Sequence, residues 1–181
     1  TAITSLIVRR RLAGVSGLSK TGPGFLALTN NNAYVGQTFI GAGGGIVIEA
    51  DARLGTGSNA VRFAGGTLRV VAPVSSGRPI LIDIEGAHID AFADLNLSGS
   101  VSGTGELSVG RGGALTLASA ASHSGPARII DNSTLRLTGS ANSTVQWDVA
   151  GTLELGSPGS SLLTNRLGDV APVSLRGATL R

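Results

Sequence analysis

The chain contains no cysteine and no methionine among its 181 residues. The lack of cysteine is typical of a cytosolic protein. It is equally typical of a bacterial surface protein that crosses the periplasm unfolded, because an early disulfide would block export. There is also no signal peptide and no apolar run long enough to span a membrane. We therefore expect a piece of a larger polypeptide.

Aromatic residues make up only 3% of the chain, whereas hydrophobic residues make up 41%. This balance argues against a wide globule filled by aromatic side chains and favours a narrow core of Leu, Ile, Val and Ala. Glycine, at 28 residues, has about twice its usual share. The glycines lie singly or in short clusters between apolar runs, which is typical of turns.

Lysine is nearly absent, because Lys20 is the only lysine among fourteen basic residues. The formal net charge is +3, and the basic residues are spread along the chain except in Arg9-Arg10-Arg11. A nucleic-acid binder would concentrate them on one face with aromatics interleaved, so we expect no nucleic-acid partner. The arginine triplet is either a solvated face or a contact for an acidic partner such as anionic glycans or lipid headgroups.

A short phrase recurs in which a glycine or serine and a small residue precede an apolar–polar–apolar strand. It occurs as Gly113–Leu117, Ser133–Leu137 and Gly151–Leu155, so the first apolar residue returns after 20 and then 18 residues. A short strand at a period of about 20 residues predicts a coil wound once per repeat, a parallel β-solenoid. The length then corresponds to about eight rungs in one continuous domain, residues 1–181, with residues 1–15 as a leading turn.

Alternation within these strands predicts which side chains face the core. The inward set forms a column of leucines, Leu115, Leu135 and Leu153. The outward set forms a surface ladder, Thr116, Arg136 and Glu154. We also expect Trp147 to pack in the core, since it alternates with Val145 and Val149.

Two longer phrases near the N-terminus carry a resemblance. Leu18–Thr29 fits the pattern L-x-K-x-G-x-G-x-L-x-L, Asn30–Thr38 contains N-x-Y-x-G-x-T, and a glycine-rich turn follows in Gly43–Ile48. This stretch resembles the passenger-associated transport repeat of bacterial autotransporters. The clear copy spans 18–71, and a weaker copy spans 97–137, where the lysine phrase is missing and His123 stands where Tyr is usual.

The resemblance implies an all-β fold, a right-handed parallel β-helix in the passenger of a Gram-negative autotransporter. It implies export through an outer-membrane β-barrel of the same parent polypeptide, to the cell surface or the medium. The implied role is a structural stalk that assists passenger folding and export and contributes to adhesion or virulence. The segment would meet a host-surface or cell–cell protein or glycan partner, or serve as a spacer for an enzyme domain elsewhere in the parent.

A carbohydrate-active enzyme is the alternative. In the segment Ile80–Asp90, we expect Ile80, Ile82 and Ile84 to face inward. Three carboxylates, Asp83, Glu85 and Asp90, would then serve general acid/base chemistry on a glycosidic bond, with His88, Arg69 and Arg78 nearby. The simpler interpretation of the same residues is a solvated strand face, and on that interpretation the chain is not an enzyme.

No cofactor or metal site is expected. His88 and His123 lie 35 residues apart without a third ligand at metal spacing. Gly41–Gly45 lacks the Gly-Lys-Ser/Thr ending of a phosphate-binding loop and is predicted to be a turn. A solenoid cut at both ends would expose unpaired strand edges, so we expect end-to-end self-association.

Overall fold

The computed structural model describes residues 5–57, 59–156, 167 and 171–181. Its strands are short, between two and five residues each. In chain order they are β1 (Ser5–Val8), β2 (Ala13–Gly14), β3 (Leu18–Lys20), β4 (Gly24–Leu28), β5 (Ala33–Tyr34), β6 (Thr38–Gly41), β7 (Gly44–Ile48), β8 (Val61–Ala64), β9 (Gly66–Val70), β10 (Val74–Ser76), β11 (Ile80–Ile82), β12 (Ala87–Ala91), β13 (Leu95–Leu97), β14 (Val101–Gly103), β15 (Leu107–Gly110), β16 (Ala114–Leu117), β17 (Ser122–His123), β18 (Ala127–Ile129), β19 (Thr134–Leu137), β20 (Trp147–Val149), β21 (Thr152–Leu155), β22 (Val173–Leu175) and β23 (Thr179–Leu180).

The strands stack in parallel as a β-solenoid of about eight turns, which confirms the predicted fold class. A nine-stranded long sheet has the order β1-β4-β7-β9-β12-β15-β18-β20-β22. A proximal sheet, β3-β6-β8-β11-β14-β17, and a distal sheet, β10-β13-β16-β19-β21-β23, form the other walls. In the first turns, the two-stranded short sheet β2-β5 stands where the distal sheet runs later.

The core is a set of stacked aliphatic columns. Leu115, Leu135 and Leu153 pair in register, as predicted, and all three are fully buried. Their outward neighbours Thr116, Arg136 and Glu154 pair in register as well. A second column follows the inner face of the long sheet; its buried members are Leu26, Ile46, Leu68, Ile89, Val109, Ile129 and Val149.

Trp147 confirms its predicted place, since it is buried at the start of β20. Val145 does not join it: this side chain is 55% exposed, because β20 begins only at Trp147. The expectation for Ile84 is also wrong. β11 ends at Ile82, and the chain turns through Gly86 at φ +88°, so Ile84 lies on the turn and is 74% exposed.

One turn departs from the β pattern. Within the described residues, one 3-10 turn, Asp51–Leu54, follows β7 and places Leu54 in the core. It lies where the short sheet ends and before the distal sheet begins. No helix among the described residues is long and apolar enough to cross a membrane.

Candidate functional site

The residues that resemble a transport repeat lie in the first turns, and their side chains join these turns by hydrogen bonds. The amide oxygen of Asn32 accepts a hydrogen bond from the backbone N–H of Leu12, at 2.8 Å. Its Nδ2 donates to the carbonyl oxygen of Arg53, at 2.6 Å. One buried asparagine therefore joins three successive turns. Lys20 closes its own corner by donating to the carbonyl oxygens of Thr21 and Gly22.

The second half of the phrase, N-x-Y-x-G-x-T, supplies Tyr34 and Thr38, which pair inside the solenoid. Their hydroxyls lie 2.6 Å apart in the interior. Burial raises the pKa of the Tyr34 phenol. The carbonyl oxygen of Tyr34 accepts from Nδ2 of Asn59 at 2.8 Å, one turn further along. A Cβ at Gly36 would lie 2.2 Å from the backbone nitrogen of Gly17, so the turns approach too closely there for another residue. These residues therefore set the spacing of the turns.

The outer face of the long sheet carries a cluster of charged side chains. Asp90 is buried there beneath three basic side chains. Its Oδ2 lies 2.6 Å from Nη2 of Arg69. Its Oδ1 lies 3.2 Å from Nε2 of His88 and 3.4 Å from Nε of Arg111. Hydrogen bonds to charged donors are stronger than neutral ones, so Asp90 and its partners form a fixed centre on this face.

Arg69 also lies between two phenylalanine rings. Its Cζ is 3.9 Å from the ring centroid of Phe25 and 5.3 Å from that of Phe92. The Phe25 ring reaches it by covering Gly45, where a Cβ would lie 2.3 Å from the ring. These cation–π contacts help to hold the guanidinium against the outer face of the long sheet.

A second group continues along the same face. Arg128 lies 3.7 Å from Oε2 of Glu106 and 3.6 Å from Oδ2 of Asp148. Arg176 donates to the other oxygen of Asp148 at 2.9 Å. A shallow groove of about 400 Å³ runs beside this group, and its polar lining consists of Glu85, His88, Glu106, Ser108 and Arg128. The groove can offer hydrogen bonds to a polar ligand.

The structure does not gather the three predicted carboxylates at one point. Asp83, just after β11, accepts a bifurcated hydrogen bond from Nε of Arg62 on the proximal sheet, with its two carboxylate oxygens at 2.8 and 3.1 Å. This hydrogen bond and the charges of Asp83 and Glu85 raise the pKa of the Arg62 guanidinium. Asp90 belongs to the long sheet instead, while Glu85 is exposed on the turn and lines the groove with His88.

Arg78, which we expected beside these carboxylates, is elsewhere. Its side chain is only 1% exposed and is bound to Asp51 of the 3-10 turn. Sequence reasoning missed this contact and the Asp90 centre. One signal could have found several of the pairs: opposite charges one turn apart, as in Arg62 and Asp83 or Arg69 and Asp90, 21 residues each.

His123 is buried at the end of the proximal sheet. Its Nε2–H donates to the carbonyl oxygen of Gly105 at 2.6 Å. Burial lowers the pKa of this imidazole, although the hydrogen bond raises it in part. Among the described residues, no group of three His, Asp or Glu side chains could hold a metal ion.

The distal sheet has a simpler outer face. Ser75, Asn96, Thr116 and Arg136 form successive steps of a polar ladder, in register. They line a groove of about 490 Å³. Arg136 donates to Oε2 of Glu154 at 2.6 Å and so continues the ladder.

Comparison with known proteins finds a relative among autotransporters. Over 93 residues the chain is 41% identical to the Adhesin BmaC autotransporter of Brucella suis biovar 1 (strain 1330). The matched part is 51% of this chain and 3% of that protein, so the chain spans a small fraction of its relative. No protein-family model matches the chain, and no solved structure matches it significantly.

The similarity and the solenoid together confirm the resemblance to an autotransporter passenger. The parallel β-solenoid and the sequence identity both agree with an autotransporter adhesin. The relationship indicates a cell-surface or secreted protein.

Proposed function

We propose, from the premise that this chain is a β-solenoid related to an autotransporter adhesin, that it is a rigid stalk segment of a passenger and contributes to adhesion. The continuous aliphatic core carries the proposal. The long-sheet column is buried from Leu26 to Val149 without a break, so the segment is one stiff body. A stiff body can hold a binding surface away from the cell.

The parent polypeptide is proposed to supply the outer-membrane β-barrel through which this segment is exported. The transport-repeat contacts support a role in folding during export. Asn32 binds backbone groups of the turns before and after it, and the backbone carbonyl of Tyr34 accepts from the side chain of Asn59 in the next turn, so each turn completes the hydrogen bonding of its neighbour. A folded turn therefore presents a template to the turn that follows it.

Replacing the segment in the parent protein tests the stalk and adhesion roles separately. One parent variant would lack residues 18–156, and another would carry an unrelated β-solenoid with the same number of turns. Surface display and adherence to host cells are then measured for both. We expect both functions to fall in the deletion. Recovery of adherence with the unrelated solenoid would support a spacer, and full adherence of the deletion would contradict the proposal.

The enzymatic alternative rests on the groove beside Glu85 and His88. Asp83→Asn, Glu85→Gln and Asp90→Asn test it by measuring release of sugar from polysaccharides by the parent protein. We expect no activity that depends on these carboxylates, because Asp83 and Asp90 are each held in ion pairs with arginines. Activity that is lost in these variants, with folding retained, would establish the enzyme.

A further inference from the structure

The formal net charge of the chain equals the charge of one corner, Arg9–Arg11. Fourteen basic and eleven acidic residues give a formal charge of +3. Arg9, Arg10 and Arg11 supply three of the basic residues, so the other eleven balance the eleven acids. The rest of the chain is therefore neutral in sum.

Ion pairing separates this corner from most of the other described arginines; Arg181, at the far end of the chain, is also exposed. Eight described arginines have a carboxylate oxygen within 4.0 Å: Arg53, Arg62, Arg69, Arg78, Arg111, Arg128, Arg136 and Arg176. Arg9, Arg10 and Arg11 are all exposed, and none has a carboxylate partner in the described part of the chain. Their guanidinium groups are thus available to an anion from outside.

The next turn holds the backbone of this corner in place. Nδ2 of Asn30 donates to the carbonyl oxygen of Arg9. The backbone N–H of Leu12 donates to Asn32. The three arginines, between β1 and β2, therefore project from a segment fixed at both ends. A fixed segment loses less conformational entropy when it binds than a free tail does.

We propose that the Arg9–Arg11 corner is a binding site for an anionic polysaccharide. Guanidinium groups match carboxylate and sulfate oxygens in bidentate geometry. On the neighbouring corner Asn31 is exposed. Its Oδ1 accepts from Nη1 of Arg53, and its Nδ2 can donate to a sugar hydroxyl. A membrane surface is the competing partner, because apolar anchors beside the charges favour it and exposed Leu6, Ile7 and Val15 lie near the corner in sequence. Residues 9–11 themselves include no apolar side chain, and vesicles of anionic phospholipid are therefore tested beside heparin.

The inference names a ligand for the proposed adhesive role and rests on that role for its meaning at the cell surface. Binding itself is measured with the isolated chain, so the two can fail separately. Heparin carries sulfate and carboxylate groups, alginate carries carboxylates alone, and dextran is uncharged. We expect calorimetric titration to show heparin binding that weakens with added salt, and no dextran binding. Alginate binding would identify carboxylates as sufficient.

Two triple variants with equal charge changes locate the site. Arg9→Gln, Arg10→Gln, Arg11→Gln should bind heparin at least about tenfold more weakly than the native chain. The control, Arg62→Gln, Arg128→Gln, Arg136→Gln, should keep most of the affinity. Circular dichroism checks folding. The single variant Arg10→Glu, which changes the charge by two units and not three, should also weaken heparin binding.

Three results would overturn the inference. These are no heparin binding by the native chain, equal losses in both triple variants, and arginine-dependent binding to vesicles of anionic phospholipid without binding to heparin. If heparin binding is present but the parent protein adheres to cells normally with the corner neutralised, the site exists and the adhesive role fails.

Discussion

The guanidinium of Arg78 fills a cage of oxygen atoms, and removing it should loosen one turn of the solenoid. Its Nε donates to Oδ1 of Asp51 at 2.8 Å, and its Nη2 lies 3.1 Å from Oδ2. Nη2 also donates to the carbonyl oxygens of Asp51 and Gly55, and Nη1 donates to those of Thr56 and Asn59. The cage belongs to the turn that contains the 3-10 element, and the arginine comes from the next turn.

The Arg78→Ala variant leaves these carbonyl oxygens and the Asp51 carboxylate without their donor. Removing one partner of a buried ion pair costs about 3–5 kcal/mol. Because the Asp51 side chain is 27% exposed, water can solvate part of the carboxylate, so we expect the lower end of that range. Arg78→Lys keeps the charge but not the five-donor fork, and should fall between the variant and the native chain. The control Arg136→Ala removes a surface pair and should cost about 1 kcal/mol or less.

Two assays measure the effect of the Arg78 substitutions. Urea unfolding gives the loss of stability, and limited trypsin digestion locates it. Leu54 is buried directly after Arg53, so the native chain should resist cleavage at that bond, whereas Arg78→Ala should be cut there first. If Arg78→Ala is no less stable than Arg136→Ala and shows no new cleavage after Arg53, the cage does not hold this turn.

Two further predictions concern the core and the pH. Leu135→Ala, in the middle of its column, should lower the free energy of unfolding by about 2–5 kcal/mol. Leu180→Ala, in the same column but 49% exposed, should lower it much less. Equal losses in urea unfolding would contradict the idea that the buried leucine column stabilises the fold. Burial lowers the pKa of His123 in the folded chain below its ordinary value of 6.5. As the pH falls, this imidazole therefore takes up a proton in the unfolded chain before it does so in the folded chain. The contribution of neutral, buried His123 to the stability of the folded chain is therefore complete above about pH 6.5 and declines below it. Unfolding measured between pH 7 and 5 should show a flatter dependence for His123→Asn, and an unchanged slope would contradict this assignment.

The walls of the solenoid could be predicted from sequence because two periods coincide in them. Alternation within a strand separates Leu135 from Arg136, and the repeat of about 20 residues stacks Leu135 between its neighbours. The residue at which a strand ends is harder to predict. Nothing in the alternation of Ile80, Ile82 and Ile84 marks the end of β11, which the turn at Gly86 decides.

The polar contacts were less predictable because they depend on register between turns. Asp90 follows Gly86 in sequence, but its environment comes from Arg69 in the preceding turn and Arg111 in the following one. The Arg78 cage also joins residues 19–27 positions apart. Such partners become visible only once the length of each turn is known to the residue.

The lengths of the turns also indicate how such a chain can change during evolution. Paired residues on the long sheet are 20 apart at most steps, 22 between β7 and β9, 21 between β9 and β12, and 26 between β20 and β22. One residue inserted within a strand would exchange its inward and outward sets, whereas extra residues at a corner leave both sets in place. Duplication of a whole turn would repeat the columns and ladders intact, so it can alter the reach of the protein without a new core.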